Sequence, residues 1–350
     1  MTNEPSAKTD AVLSDKAWAP LAIFIFNRPE HTRRMIASLK ACIGFAESPI
    51  YVFADGPRRA RDISAIQEAR SEARRLLGND AVYLERDANL GIESSVIAAV
   101  TQLCDRYGRA VVIEDDLIFS PHFLEFLNHG LRRYEGNPRV MQVCGYMFDV
   151  PAFRHRAEAI FLPMASSLGW ATWKRAWDQF DPLATGWRER LLDDRFRKRF
   201  DLDGHFPYAK MLSHHMRGAH PAWDIRWYYT MFNKGGLALY PPRTLVVHTG
   251  FDGTGMHDRF SLPVHQAELA TEAQFDLPEQ VANGQDQGLV FEAVKKFRPS
   301  SPLRKSVAVA RYLLRSLRGA IPVALRWARD RKRGAGGGES GDGAPGEGAG

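Results

Sequence analysis

The stretch Val111-Val112-Ile113-Glu114-Asp115-Asp116 runs an apolar segment straight into three consecutive carboxylates. If the apolar part is a buried strand, the acids stand at the carboxyl edge of a parallel sheet, where α/β proteins gather ligands. Adjacent like charges repel, so folding disfavours the trio unless a cation or a polyhydroxyl ligand shares the place. Carboxylates are hard oxygen donors suited to Mg2+ or Mn2+, and either ion in turn clamps phosphates. The same acids also read as a solvated strand end. Two more apolar runs end in chemistry-bearing residues, at Asn27-Arg28-Pro29 and at Ala54-Asp55-Gly56. Together the three ends suit a nucleoside diphosphate, with Arg28 for phosphate or base oxygens, Asp55 for uracil or ribose donors and a metal ion for the diphosphate. Taken singly, Arg28 reads equally as an ion-pair partner of Glu30 and Asp55 as an Asx-turn before Gly56-Pro57.

Further along, Asp224 sits in Trp223-Asp224-Ile225-Arg226-Trp227. A carboxylate among large aromatics is partly desolvated, which raises its basicity and suits it to take a proton from a hydroxyl. It also fits a helix N-cap. Asn89, Gly91 and Ser95 lie where a turn opens into a helix whose N-terminus would face a bound anion, or they form a plain structural cap. Trp170, Trp173 and Trp177, with Trp223 and Trp227, could stack on sugars; the spacing of the first three predicts a core-facing helical stripe. The Gly-rich run from His248 to His257 suits a loop closing over a ligand, with either histidine near a diphosphate. Both histidines read equally as structural.

The elements that must position these residues are legible as alternating short apolar runs and helical patterns, the mark of βαβ units around a mostly parallel sheet. Strands are predicted at 21–26, 50–55, 81–86, 110–116, 139–148 and 244–250. Helices are predicted over 27–42, about 62–77, from Gly91 to about Tyr107, from Asp224, and around 286–297. A charged helix is predicted after residue 186.

Of 350 residues, 45% are hydrophobic and 25% charged, a composition that excludes collagen, a coiled-coil rod and a wholly disordered chain. No run of about 18 uncharged apolar residues occurs, so no spanning helix is expected. Cys42, Cys104 and Cys144 form neither a disulfide framework nor a zinc pattern. With no signal architecture and no N-x-[ST] sequon, a cytoplasmic protein is expected. The sequence lacks a Walker A loop, a G-x-G-x-x-G after the first strand, G-x-S-x-G and H-E-x-x-H, which disfavours P-loop NTPases, Rossmann dehydrogenases, α/β-hydrolases and zincins. The net charge of +6 is localised: residues 303–333 carry ten Lys or Arg against Asp330, leaving the rest of the chain at −3. That distribution argues against a nucleic-acid-binding surface. Val307, Ala310, Leu314, Leu317 and Ile321 share one helical face opposite Arg304, Arg311, Arg315 and Arg318, which predicts a basic amphipathic helix on an anionic membrane surface, peripheral to the inner face of the plasma membrane. Packing of that helix on the main domain is the alternative. The expected organisation is a disordered lead-in over 1–18, one catalytic domain over 19–300, the basic helical tail over 301–333 and a disordered Gly-rich end over 334–350.

The stretches IFNRPEHTRR, VFADGP, NLGIESSVIAAVTQL, YGRAVVIEDDLIFSPHFLEFL, SLGWATWKRAW, PAWDIRW and VVHTGFDGTGMH, in this order from Pro20 to Arg259, resemble nucleotide-diphospho-sugar glycosyltransferases of the GT-A fold. The chain is similar to the N-acetylglucosaminyltransferase I family and to related bacterial cytoplasmic sugar transferases. The resemblance implies an α/β fold with a mixed, mostly parallel sheet, and an inverting hexosyltransferase that moves a sugar from a nucleotide diphosphate, most simply UDP, to a hydroxyl of a glycan or lipid-linked glycan. It implies that Arg28 contacts the nucleotide, Asp55 the uracil side, Glu114 the sugar and Asp115 the ribose or sugar. Asp116 would bind Mn2+ or Mg2+, and Asp224 would be the base. The family carries Trp-Asp-Asp-Trp where this chain has Ile225-Arg226 after the first aspartate. That departure leaves open a catalytically silent sugar-nucleotide-binding protein; a sugar nucleotidyltransferase is the other alternative.

Overall fold

The computed structural model describes residues 17–219, 223–250, 268–272, 275–284 and 286–296. They belong to one compact unit that extends to Arg298; the second unit, Pro299–Gly350, lies outside the described residues, and with it the expected basic helix and Gly-rich end. Most of the expected lead-in and the loop from 251 through His257 lie outside them as well.

Ten strands and ten helices order the described chain. The strands are β1 (Leu21–Ile25), β2 (Ile50–Ala54), β3 (Ala81–Glu85), β4 (Arg109–Glu114), β5 (Leu117–Phe119), β6 (Val140–Cys144), β7 (Ile160–Leu162), β8 (Trp170–Trp173), β9 (Leu237–Tyr240) and β10 (Val246–His248). The helices are α1 (Pro29–Lys40), α2 (Ile63–Leu77), α3 (Ile92–Tyr107), α4 (Phe123–Arg133), α5 (Lys174–Trp177), α6 (Trp187–Leu192), α7 (Asp194–Phe200), α8 (Tyr208–Met216), α9 (Trp223–Asn233) and α10 (Gln287–Lys295).

Eight strands form one sheet in the order β3-β2-β1-β4-β8-β6-β9-β7, and β10 pairs with β5 in a small second sheet. The first four are parallel, as their helical crossovers require. Beyond β4 the sheet turns mixed: β8 runs antiparallel to both neighbours, and β7 antiparallel to β9. The sheet is thus mixed and mostly parallel over its first half, as the alternating pattern and the resemblance imply. Apolar side chains cover both faces. Ala22, Phe24, Val112 and Trp170 pack under α3 and α9, and Leu21, Ile23, Ile113 and Trp173 under α1 and α4. Coverage on both sides is why β1, β2 and β4 read as continuous apolar runs rather than alternating ones.

The structure departs from the sequence reading in places. Trp170 and Trp173 lie on a strand, and their offset of three sends them to opposite faces, so the predicted helical stripe does not exist. Only Trp177 is helical. The single charged helix after 186 is three helices, α6 to α8. Strands β5, β7 and β9 and helix α4 were not predicted; three of these four elements are only three or four residues long and carry too little periodicity. The folded region also begins before residue 19, because Arg109 donates a hydrogen bond of 3.1 Å to the Ala17 carbonyl. The three cysteines are buried and free. Among the described residues no helix is long and apolar enough to cross a membrane.

Trp170 is fully buried at the centre of a cluster with Trp177, Trp223 and Trp227, at ring-centroid distances of 6.1, 5.7 and 6.3 Å. Trp170→Ala is therefore expected to destabilise the protein by about 3–5 kcal/mol in urea denaturation, with Trp170→Phe recovering a large part of that loss.

Candidate active site

Because β1 lies between β2 and β4 with Ile25 opposite Ala54 and Phe24 opposite Glu114, the chain leaves all three strands at one edge of the sheet. Arg28 occupies the N-cap position of α1, where Pro29 opens the helix without needing a donor. Its side chain makes no cap bond and reaches across the edge to β4. Nη2 pairs closely with Asp115 Oδ1 and lies 2.9 Å from Asp116 Oδ2, while Nε donates to Asp115 Oδ2 at 3.4 Å. Asp115 and Asp116 are buried, so the guanidinium is their compensation. The alternative pairing of Arg28 with Glu30 is not made; Glu30 pairs with Arg33.

The small sheet brings in a residue that the strand ends alone do not reveal. β10 runs antiparallel to β5 with His248 opposite Leu117, and Thr249 donates from both N and Oγ1 to the Asp116 carbonyl, at 2.7 and 3.0 Å. His248 Nε2 thereby stands 3.2 Å from Asp116 Oδ2. Gly250 closes the corner. A Cβ there would fall 2.5 Å from Asp116 Oδ2 and 3.0 Å from His248 Nε2, so any larger residue would fill the space at the two donors.

These contacts set the protonation of the acids. Burial opposes the Asp116 charge, but the hydrogen bond and charge of His248 and the charge of Arg28 outweigh it and hold this carboxyl well below the ordinary aspartate range. Asp115 is pushed up by burial despite Arg28. Glu114 is pushed up to about 8 by burial and by repulsion from Asp116, Asp224 and Asp115. One guanidinium does not neutralise this edge, and the residual negative charge favours a cation. The Asp116 carboxylate, fixed in the ionised state, is a hard oxygen donor suited to Mn2+ or Mg2+. Among the described residues no group of three or more His, Cys, Asp or Glu converges in a way that could hold a metal ion.

Asp224 lies in the first turn of α9. Burial raises its pKa, against hydrogen bonds from Ser167 and from backbone N–H groups and the nearby charge of His215. Ser167 Oγ donates to its Oδ2 at 3.3 Å. The next residue, Ile225, is 2% exposed and packs in the core, so an acid at 225 would be buried among apolar groups, while Asp224 is only half-buried.

Other expected site residues have different roles. Asp55 accepts hydrogen bonds from the backbone of Gly56, Leu90 and Gly91 at 3.0, 2.8 and 2.8 Å and from Asn89 Nδ2 at 3.0 Å. Those four donors occupy the carboxylate, so it pins the loop ahead of α3 to the end of β2. Asn89 is correspondingly occupied: Nδ2 also donates to the Gly56 carbonyl, and Oδ1 accepts from Arg58. Gly91 caps α3 at φ 83°, a backbone conformation in which a side chain is strained. Ser95 is buried, and its hydroxyl accepts from Arg86 at 2.7 Å, which ties it to the end of β3. Trp170, expected to contact sugar, has no exposed surface and serves the core instead.

No family model matches the sequence, and no curated protein matches it. Solved structures do show likenesses. One is "GalNAc-T7 with UDP, GalNAc and Mn2+", at 8% identity and TM-score 0.43, covering 66% of this chain and 43% of that one. Another is mouse xyloside xylosyltransferase 1, at 11% and 0.34, covering 61% and 81%. A third is the mannosyltransferase PcManGT from Pyrobaculum calidifontis with GDP-Man and Mn2+, at 10% and 0.34, covering 62% and 68%. The chain thus spans less than half the length of the first of these. With every TM-score below 0.5, none of these likenesses carries a functional argument, which rests on the side chains at the sheet edge.

The Asp55 network is directly testable. Removing the carboxylate leaves three backbone N–H groups without their acceptor, so Asp55→Ala is expected to destabilise the fold by about 2 kcal/mol in urea denaturation.

Proposed function

We propose that this chain is a GT-A nucleotide-diphospho-sugar glycosyltransferase, inverting and dependent on a divalent cation, that moves a hexose from a UDP-sugar to a hydroxyl of a glycan or lipid-linked glycan. The observation that carries the proposal is the acidic edge of β4, where Asp116 meets both Arg28 and His248.

In this reading Asp116 holds Mn2+ or Mg2+ with His248 beside it, and the ion when bound offsets the charge of the diphosphate. Arg28 supplies a second positive group to the phosphates once the donor competes for it. Asp115, held by Arg28, orients the ribose or sugar. Glu114, whose carboxyl is pushed up by burial, contacts the sugar. Asp224, made more basic by burial, takes the proton of the acceptor hydroxyl. The hydroxyl oxygen forms its bond to the anomeric carbon as the bond from that carbon to the diphosphate oxygen breaks, and attack from the face opposite the leaving group inverts the configuration. Asp55 and Asn89 build the loop beside this site rather than contact the base.

The catalytically silent alternative draws on the missing second acid at position 225. Position 225 points into the core, so its side chain does not bear on whether Asp224 is a competent base. The transferase reading extends to membrane attachment through residues 303–333 and to the cytoplasmic face of a membrane as the place of work, both of which rest on the charge pattern of that segment.

Wild-type protein is expected to release UDP from a UDP-sugar in the presence of Mn2+, and chelation or Asp116→Ala is expected to abolish that release while circular dichroism stays unchanged. Asp224→Asn is expected to retain UDP binding in calorimetry and to lose sugar transfer by about two orders of magnitude or more, as removal of a general base does. Because Asp224 is raised, it becomes an ionised base only above the usual aspartate range. The acidic limb of kcat/KM should therefore lie above pH of about 4 and be absent in Asp224→Asn; activity that persists undiminished below that pH would reassign the base.

A further inference from the structure

The first turn of α9 carries a second charged residue that the transfer chemistry does not use. Arg226 is 8% exposed, which for a guanidinium requires partners within the protein. Nη1 donates to the Pro182 carbonyl at 2.6 Å, and the guanidinium carbon lies 6.0 Å from the centre of the Phe180 ring. Nη2 stands 2.6 Å from Glu93 Oε1 without hydrogen-bond alignment, so this contact is a meeting of charges. Glu93 lies in the first turn of α3, and its other oxygen is 3.8 Å from His215 Nε2 on α8. The same turn of α3 follows Gly91, whose N–H is held by Asp55 at the end of β2. A continuous set of contacts therefore runs from the β2 edge through the start of α3 to the start of α9, two residues from Asp224.

The rest of α9 has a separate anchor. Trp227, Tyr228, Tyr229 and Met231 are buried, and Tyr228 and Tyr229 donate to the carbonyls of Phe200 and Thr185. Trp223 and Ile225 anchor the first turn in the core as well, so loss of the Arg226 contact would leave the helix in place and let its first turn shift by a small distance. That is the turn whose position decides whether a carboxylate reaches an acceptor hydroxyl, and a misplacement of about 1 Å can lower a rate about a hundredfold.

We infer that Glu93 and Arg226 are positioning residues: their charge contact fixes the start of α9 against α3 and so sets the distance between Asp224 and the acceptor hydroxyl. The inference rests on the reading of Asp224 as the base.

The test compares kcat, donor KM and melting temperature for the full-length chain and its Glu93→Gln, Arg226→Gln, Arg226→Lys and Asp224→Asn variants, with Mn2+ and the UDP-sugar that the wild type turns over. Glu93→Gln and Arg226→Gln are expected to lower kcat about tenfold or more with donor KM within about twofold of wild type, and Arg226→Lys to regain most of the loss because the contact is one of charge. Should Arg226→Gln fail to fold, Glu93→Gln decides, since the Glu93 side chain is 35% exposed and removes charge from the outer partner. Unchanged kcat in Glu93→Gln, a kcat loss matched by donor KM, or no recovery in Arg226→Lys would overturn the inference. Full transfer by Asp224→Asn would instead overturn the base assignment, and is read separately.

Discussion

The acidic end of β4 is the constraint around which the rest of the molecule is arranged. Three carboxylates in sequence at a buried strand end are unfavourable in any fold that offers them nothing. Here Arg28 comes from the turn after β1, and His248 with the Thr249 backbone from the end of β10, so two separate parts of the chain converge on Asp116. The protein still leaves the edge short of positive charge, and burial together with repulsion from the neighbouring acids pushes the Glu114 carboxyl up. An excess of negative charge in a desolvated place is the electrostatic condition under which a divalent cation and its phosphates bind, so the cost of folding the site and its capacity for ligand have one origin.

Around that centre the structure separates residues that face the chemistry from residues that hold it. Asp55 was a natural candidate for the first group and belongs to the second: its four acceptor bonds lock the loop that begins α3. Ser95 and Arg86 extend the lock, and Glu93 with Arg226 carry it across to α9. Covalently distant segments are thus joined by polar contacts for which a packed core alone gives no need.

Much of the first half of the fold was legible in the sequence. β1, β2, β3 and β4, with α1, α2 and α3, stand close to their predicted bounds, because apolar runs covered on both faces and long amphipathic helices are strong, local signals. The second half was less so. β5, β7 and β9 are short, and β8 carries tryptophans whose 170–173–177 spacing mimics a helix. The reading of Trp170 as a sugar contact failed for the same reason. Residue type says what a tryptophan could do, whereas burial under α9 decides that it packs.

What the sequence determined by itself was the inventory: a carboxylate trio at a strand end, an arginine and an aspartate at two others, and a lone Asp224 between tryptophans. These are properties of short segments, and short segments are where periodicity and strand-end chemistry are written. Tertiary structure alone decided the partners. That Arg28 leaves Glu30 for Asp115, that His248 faces Asp116, that Asp55 turns inward, that position 225 is core and that Arg226 meets Glu93 all depend on strand order and helix packing between residues far apart in sequence. Long-range pairings of this kind arise from how the layers stack, and no local pattern of residues encodes them.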